Sequence, residues 1–520
     1  MEQQVRKYPV GVQTFSVIRE GGYIYVDKTK LIYELVSQGK YYFLGRPRRF
    51  GKSLLISTLA AYFEGRKELF EGLAISKYEK DWISYPVLRF DFSTGKFATK
   101  ENLEEAIDYK LSEYEKFYGV INERKTFNVR MTQLVKAAYE KTGHQVVILI
   151  DEYDSAMLYH IDDDVRQDEV RLVMRNLFSP IKELDPLLKF VLFTGITKFS
   201  QMSVFSELNN LENISMQPEY DALCGISEEE LTTQLRPDIE LLAKSFKLPY
   251  DEMHAKLKQM YDGYHFSKQQ NDIYNPYSLL NAFKKKDLAN YWFGTATPSF
   301  LIKVLKRYQM DISDIDGIKC DEMGFDRPVE HIDDPIPVLY QSGYLTIKDY
   351  ENDLGIYTLG FPNTEVRKGF ARSLFEYIAP TCQRHRNSLY LSYADFYRSD
   401  NVEPFLQALR TFFAAYPYSL NNNNERHYQS VLFTLLASFG ADVRAEQQTA
   451  NGRIDLVLSM PKTIYVIELK YGQSAYAAMQ QIDRKDYASS VVSDSRNVVC
   501  LAINFSKDER TLTEWEVKTV

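Results

Sequence analysis

Short apolar runs at Tyr41–Leu44, Val87–Phe92, Val146–Ile150 and Phe190–Thr194 predict strands, and amphipathic stretches such as Leu103–Tyr118 and Asn128–Lys141 predict helices between them. Strands separated by helices of this length predict a parallel α/β sheet. Ligands of such sheets bind at the carboxyl ends of the strands. From residue 226 the pattern turns helical, and Ser227 followed by Glu228-Glu229-Glu230 reads as a capping serine with acids in the first helical turn. Beyond residue 300, short helices precede strand-rich stretches at 343–347 and 354–359, a winged-helix-like order. Asn421-Asn422-Asn423-Asn424 reads as a loop or helix start. After it, Tyr428, Val431, Leu432, Leu435, Leu436 and Phe439 recur at helical spacing and stop at Gly440, a suitable C-cap. Strands, a helix and a final strand follow. The pattern divides the chain into regions 5–225, 226–300, 301–385 and 386–520, with no internal repeat.

The first chemical signal sits where the first strand ends. Tyr41-Tyr42-Phe43-Leu44-Gly45 runs into Arg46-Pro47-Arg48-Arg49-Phe50 and then Gly51-Lys52-Ser53, at the start of a helix. This is the layout of a loop that cradles nucleotide phosphates on backbone N–H groups and a helix N-terminus. Lys52 is positioned to reach the outer phosphates and the Ser53 hydroxyl to hold Mg²⁺. In the usual spacing a glycine stands at position 46, where this chain has Arg46; Gly45 is one residue early. The second signal is Val146–Ile150, a β-branched run of the kind buried in parallel sheets, ending in Asp151-Glu152. Its carboxyl end puts Asp151 beside the loop as a Mg²⁺ holder and Glu152 as the group that orients or deprotonates the attacking water. Thr194 and Thr197, after the fourth strand, are candidate sensors of the terminal phosphate.

These segments, with Tyr25-Val26-Asp27-Lys28-Thr29, Phe193-Thr194-Gly195-Ile196-Thr197-Lys198-Phe199-Ser200, Tyr261-Asp262-Gly263-Tyr264 and Asn275-Pro276-Tyr277-Ser278, resemble the bacterial AAA-ATPase-like family over about residues 5–300. In that family the loop itself reads Arg-Pro-Arg-Arg-Phe-Gly-Lys-Ser, so Arg46 is the family's own variant. The resemblance implies a P-loop NTPase core with a helical lid, related to signalling ATPases that carry winged-helix and effector domains. It implies ATP and Mg²⁺ as cofactors, held by Arg49, Phe50, Gly51, Lys52, Ser53, Leu54, Asp151 and Thr194, with Ser53 and Asp151 on the metal. Arg46, Arg48 and Arg49 are candidates to contact the nucleotide phosphates or another subunit of a homo-oligomer. Arg175, on a predicted helix, is read as a surface arginine ahead of an arginine finger.

Gly452–Leu458 and Thr463–Lys470 read as a hairpin about Pro461 and Lys462. A turn symmetric about those two residues sets Asp455 opposite Glu468, and the strand period of two sets Lys470 on the face of Glu468. Buried acids without partners are costly, and oxygen-ligated Mg²⁺ satisfies them. A structural acid–lysine pair is the plainer alternative. The pattern resembles the PD-(D/E)XK nuclease superfamily, in the domain often fused behind the ATPase just described. The resemblance implies a restriction-endonuclease-like α/β domain in which Asp455 and Glu468 hold metal and Lys470 acts with it. Ala475–Ile482 then supplies the next helix, with Gln481 either facing the site or lying on the helix surface. Glu425 is an outlying candidate ligand, read first as a solvated helix cap.

Composition narrows the picture without changing it. The 520 residues are 45% hydrophobic and 26% charged, as in soluble globular chains. The 38 Tyr and 31 Phe are read as packing. A net charge of −8 argues against a basic nucleic-acid coat, and any nucleic acid is expected at the C-terminal domain. Four scattered cysteines, Cys224, Cys320, Cys382 and Cys500, read as buried free thiols, and no apolar run suggests a leader or a membrane span, so a cytoplasmic protein is expected. The expectation is an ATP-binding, ATP-hydrolysing protein whose nucleotide state gates a Mg²⁺-dependent nuclease-like domain. The alternative is a regulatory ATPase switch whose nuclease fold is inactive and serves binding.

Overall fold

The computed structural model describes residues 6–93, 95, 97–121, 125–198, 211–294, 301, 303–304, 307, 315–328, 334–378, 383–416, 424–449, 451–491 and 495–520. Phe199, Ser200, Cys382 and Asn421–Asn423 of the motifs above lie outside them. The chain forms two compact units, Met1–Tyr308 with Gly317–Glu365, and Gln309–Asp316 with Val366–Val520.

In the first unit, β1 (Tyr41–Gly45), β2 (Val87–Asp91), β3 (Val146–Asp151), β4 (Leu188–Gly195) and the two-residue β5 (Glu212–Asn213) form one sheet in the order β2-β3-β4-β1-β5. Every pairing in it is parallel. β3 is buried along its whole length, which is why it reads as a continuous apolar run. The helices Lys52–Phe63, Lys100–Tyr118, Phe127–Thr142 and Asp164–Phe178 fall between or beside the strands, as the periodicity predicts.

The helices Glu228–Thr233, Arg236–Phe246, Tyr250–Tyr261 and Pro276–Lys285 build a separate core around Leu231, Ile239, Leu257 and Leu279, braced by the short pair β6 (Ile226–Ser227) and β7 (Ile273–Tyr274). Ser227 caps its helix as the sequence predicts, and Glu230 answers it, its side chain accepting the Ser227 N–H. Next, β8 (Ile318–Cys320), β9 (Thr346–Glu351) and β10 (Ile356–Gly360) form a three-stranded antiparallel sheet in the order β8-β10-β9, with the short helices Glu322–Phe325 and Ile336–Gln341 beside them in sequence.

The second unit carries β11 (Asp442–Thr449), β12 (Gly452–Ser459), β13 (Thr463–Tyr471), β14 (Asn497–Phe505) and β15 (Leu512–Thr519) in sequential order. Only β13 and β14 run parallel, and the helix Ala475–Lys485 makes the crossover between them. That helix packs Ala478, Met479 and Ile482 against Ile454, Val466 and Cys500 of the sheet. The helix Glu425–Phe439 starts on Asn424, whose side chain accepts the His427 N–H, and ends on Gly440 in the left-handed region. Cys224, Cys320 and Cys500 are free thiols; Cys320 is partly exposed, unlike the buried thiol expected. Among the described residues no helix is long and apolar enough to cross a membrane.

Candidate functional sites in the two units

β1 delivers the chain into the Arg46–Gly51 loop, and Gly51, at φ 100°, turns it into the helix Lys52–Phe63. A side chain is strained at that φ, which explains a glycine there. No side chain caps this helix, so the N–H groups of its first turn are left for another acceptor. The Lys52 ammonium is buried, and its Nζ lies 2.9 Å from the Arg46 carbonyl, 3.1 Å from that of Pro47 and 3.1 Å from Glu152 Oε1. β3 and β4 bring the acids to the same edge. The Thr194 hydroxyl donates to Asp151 Oδ1 at 2.7 Å, while Asp151 Oδ2 is buried with no well-formed hydrogen bond. Burial pushes the Asp151 carboxyl above its ordinary range, against the pull of the Ser53 and Thr194 hydroxyls. Glu152 holds φ at 53°, a strained conformation of the kind that collects at functional sites.

Two sequence expectations change here. Arg46 does not face a phosphate. Its guanidinium is 1% exposed and donates to the carbonyls of Gly45, Ser215 and Tyr220 at 2.9, 2.7 and 3.0 Å, with the Phe266 ring 4.0 Å away. The missing glycine is therefore a structural arginine that ties the loop to residues 215–220 and 266. Thr197 is likewise committed elsewhere. Its hydroxyl and N–H donate to Asp154 Oδ2 at 2.8 and 2.6 Å, so it clamps the turn after β4. Arg49 lies over the Tyr277 ring at 5.1 Å, Arg48 accepts from Trp292 Nε1 on its carbonyl at 2.9 Å, and Arg175 is exposed near the end of its helix.

Phe50 is buried edge-on against Tyr264 and Phe266, and its carbonyl accepts the Gly225 N–H at 2.9 Å. Beside it opens a small, largely apolar cleft of ≈ 90 Å³, lined by Tyr25, Val26, Leu54, Gly225, Ile226 and Pro276 among others. Lys28 lies on its wall, paired with Glu230. Burial lowers the Lys28 ammonium and the Glu230 carboxylate supports its charge. An apolar slot opening beside a cationic loop suits a molecule with a flat ring at one end and anionic groups at the other.

In the second unit the hairpin takes the register expected from its turn. Leu456 pairs with Ile467 and Ser459 with Ile464, and one step further sets Asp455 opposite Glu468. Asp455 Oδ2 accepts the Leu469 N–H at 2.7 Å. Lys470 Nζ lies 3.3 Å from Glu468 Oε1 and 3.3 Å from Glu425 Oε1. Gln481 donates to Glu468 Oε1, so it faces the cluster, and Glu425 joins it instead of standing as a solvated cap. Glu468 is 1% exposed and its Oε2 has no partner. Burial raises both Asp455 and Glu468 above the ordinary carboxylate range; in Glu468 the nearby Asp455 adds to the rise and Lys470 opposes it.

Glu446, which the sequence does not single out, completes the group. At φ 54° it interrupts β11 opposite Asp455, pairs with Arg453, and accepts from Gln429 Nε2 at 2.6 Å. The only available signal was an acid on a strand beside the hairpin, which is too common to read.

Residues 9–205 match the family described as "Predicted AAA-ATPase", and residues 423–515 match the PD-(D/E)XK nuclease superfamily. An Azotobacter chroococcum mcd 1 protein described as "Uncharacterized protein in vnfD 5'region" is 34% identical over 531 residues, covering 99% of both chains. The chain belongs to the predicted AAA-ATPase-like family, with a PD-(D/E)XK nuclease superfamily domain at its C-terminus. No solved structure matches it. The matched segments of this AAA-ATPase-like protein contain Lys52, Asp151, Glu152 and Thr194 in the first case and Glu425, Asp455, Glu468, Lys470 and Gln481 in the second.

Both residue sets fit the groups such domains use. A Mg²⁺-bound triphosphate at the first site would meet the uncapped helix N-terminus, the Lys52 ammonium, the Ser53 hydroxyl and the unsatisfied Asp151 oxygen. At the second, Asp455 and the unpartnered Glu468 oxygen would hold a hard cation.

Proposed function

We propose that the first unit binds and hydrolyses ATP with Mg²⁺, and that its nucleotide state controls Mg²⁺-dependent cleavage of nucleic acid by the second. The carrying observation is the convergence of Lys52, Asp151, Glu152 and Thr194 at the carboxyl edge of one parallel sheet, with Lys52 Nζ 3.1 Å from Glu152. In this reading Lys52 leaves the loop carbonyls and Glu152 to hold the terminal phosphates. Glu152, released, orients the attacking water and accepts its proton. The phosphates take up the uncapped N–H groups of the following helix, and the ring of the nucleotide enters the cleft beside Phe50. The second site supplies a cation-holding pair, Asp455 and Glu468, with the Lys470 ammonium to offset charge that develops on a phosphodiester.

A physical route for control starts at the loop itself. The Arg48 carbonyl accepts from Trp292 Nε1, and the Trp292 N–H donates to Glu365 Oε1 at 2.6 Å. Glu365 is the last residue of the first unit, so these bonds tie the loop to the end of that unit.

The test is a cleavage assay on single- and double-stranded DNA and RNA with Mg²⁺ or Mn²⁺, with and without ATP. Metal-dependent cleavage that changes with ATP and disappears in Lys470→Ala, while ATP turnover persists, supports the reading. Cleavage that survives in Lys470→Ala contradicts it. ATP turnover with no cleavage on any substrate leaves a regulatory ATPase with a binding domain.

A further inference from the structure

The first unit holds another group of acids, away from the Lys52 loop. Glu228 opens the helix Glu228–Thr233, Asp262 follows the helix Tyr250–Tyr261, and Asp272 precedes β7. One carboxylate oxygen of each lies within 4.8 Å of the other two. Glu228 and Asp272 are already engaged. Tyr274 OH donates to Glu228 Oε2 at 2.6 Å, and His254 Nε2 lies 2.7 Å from Glu228 Oε1. Asp272 is reached by His265 Nε2 at 2.9 Å and Lys258 Nζ at 2.6 Å.

Asp262 is different. It is 2% exposed, and neither of its oxygens has a well-formed hydrogen bond. The nearest opposite charge is Lys258 Nζ, 3.7 Å from Oδ2. A charged, buried carboxylate that faces two further acids is strongly unfavourable unless it takes up a proton or a cation stands between them. Burial accordingly pushes Asp262 up to about 7, against the pull of the Gly263 N–H and Lys258.

Two oxygens on one ion are separated by at most twice the metal–oxygen distance, about 4.2 Å for Mg²⁺ and about 4.6–5.2 Å for Ca²⁺. Three oxygens within 4.8 Å of one another are close enough to share one such ion, and an all-carboxylate donor set suits a hard cation. We propose that Glu228, Asp262 and Asp272 form a site for a hard divalent cation such as Ca²⁺, distinct from both proposed Mg²⁺ positions. The Lys258 side chain, 47% exposed, swings to solvent as the ion enters. The ion ties together three segments of the helical layer. Tyr264, two residues beyond Asp262, packs against Phe50 at a ring separation of 4.7 Å, so the ion also braces the wall behind the Lys52 loop.

The experiment counts Mn²⁺ bound to the nucleotide-free full chain by electron paramagnetic resonance, with Ca²⁺ as competitor. Asp262→Asn is expected to lose one Mn²⁺ equivalent that Ca²⁺ displaces in the unaltered chain. Asp455→Asn is expected to retain that equivalent, which separates this site from the second-unit cluster. An Asp262→Asn chain that binds as many equivalents as the unaltered one overturns the proposal. Lys258→Met removes a competing charge from a half-exposed position and is expected to tighten Ca²⁺ binding about fivefold. Unchanged or weaker Ca²⁺ binding in Lys258→Met overturns the proposal even if Asp262→Asn fails to fold.

Discussion

Replacing Lys470 with Met tests the electrostatics of the second-unit cluster most sharply, because the side chain keeps its length and loses its charge. Lys470 Nζ sits 3.3 Å from both Glu468 and Glu425. At an effective dielectric of about 20, one such contact is worth about 5 kcal/mol before desolvation. The desolvation of the buried pair and the partial exposure of Glu425 offset much of that. The expected net loss is about 3 kcal/mol at pH 8 without metal, in the range for stripping one partner from a buried ion pair. For a unit of this size that is about 6–12 °C in melting temperature. The loss depends on pH in a definite sense. Asp455 and Glu468 are already raised in the folded chain, and losing Lys470 raises them further. A raised carboxyl stabilises the fold fully below its unfolded value, and that contribution disappears as pH climbs through the folded value. The deficit should therefore be smaller at pH 6, and saturating Mg²⁺ should restore most of it at pH 8. Calorimetric melts of the full chain at both pH values, with and without Mg²⁺, measure this. An equal deficit at pH 6 and pH 8, indifferent to Mg²⁺, would mean that Lys470 acts through its aliphatic stem and would refute the charge reasoning.

Two further substitutions probe the first unit. Arg46→Met removes the donor that joins the carbonyls of Gly45, Ser215 and Tyr220, and is expected to cost about 3 kcal/mol in urea unfolding; unchanged stability with lost nucleotide affinity would make Arg46 a phosphate ligand after all. Glu365, buried and accepting the Trp292 N–H, is raised from 4.5 to about 7, so its share of stability is complete below about pH 4.5 and gone above about pH 7. Glu365→Gln should therefore gain up to about 3 kcal/mol on the unaltered protein between pH 5 and pH 8, and parallel pH profiles in chemical unfolding would contradict that.

The parts of this fold legible in the sequence are those governed by short-range periodicity. Val146–Ile150 of β3 and Phe190–Phe193 of β4 read as uninterrupted apolar runs because both stretches are buried in a parallel sheet, and the Lys52 loop is visible because strand, glycine and helix are contiguous. The β12–β13 register follows from a turn centred on Pro461 and Lys462, which places Asp455 against Glu468. What the sequence hid is set by partners far along the chain. Nothing near Arg46 announces the carbonyls of Ser215 and Tyr220. Thr197 looks like a ligand sensor until Asp154 is seen to occupy both its donors. Glu228 reads as a helix-start acid, which it is, and only folding brings it near Asp262 and Asp272. Glu446 depends on an interruption of β11 at a positive φ in a residue with no conformational excuse for it, so no residue-type signal marks it.

The proposed nucleotide site docks a Mg²⁺-bound triphosphate on Lys52 opposite Asp151 and Glu152. Its most direct test is calorimetric titration of the full chain with ATP and Mg²⁺, beside Lys52→Ala. One ATP is expected to bind per chain of the unaltered protein, and folded Lys52→Ala is expected to show no measurable binding. Equal ATP affinity in the two proteins would contradict it.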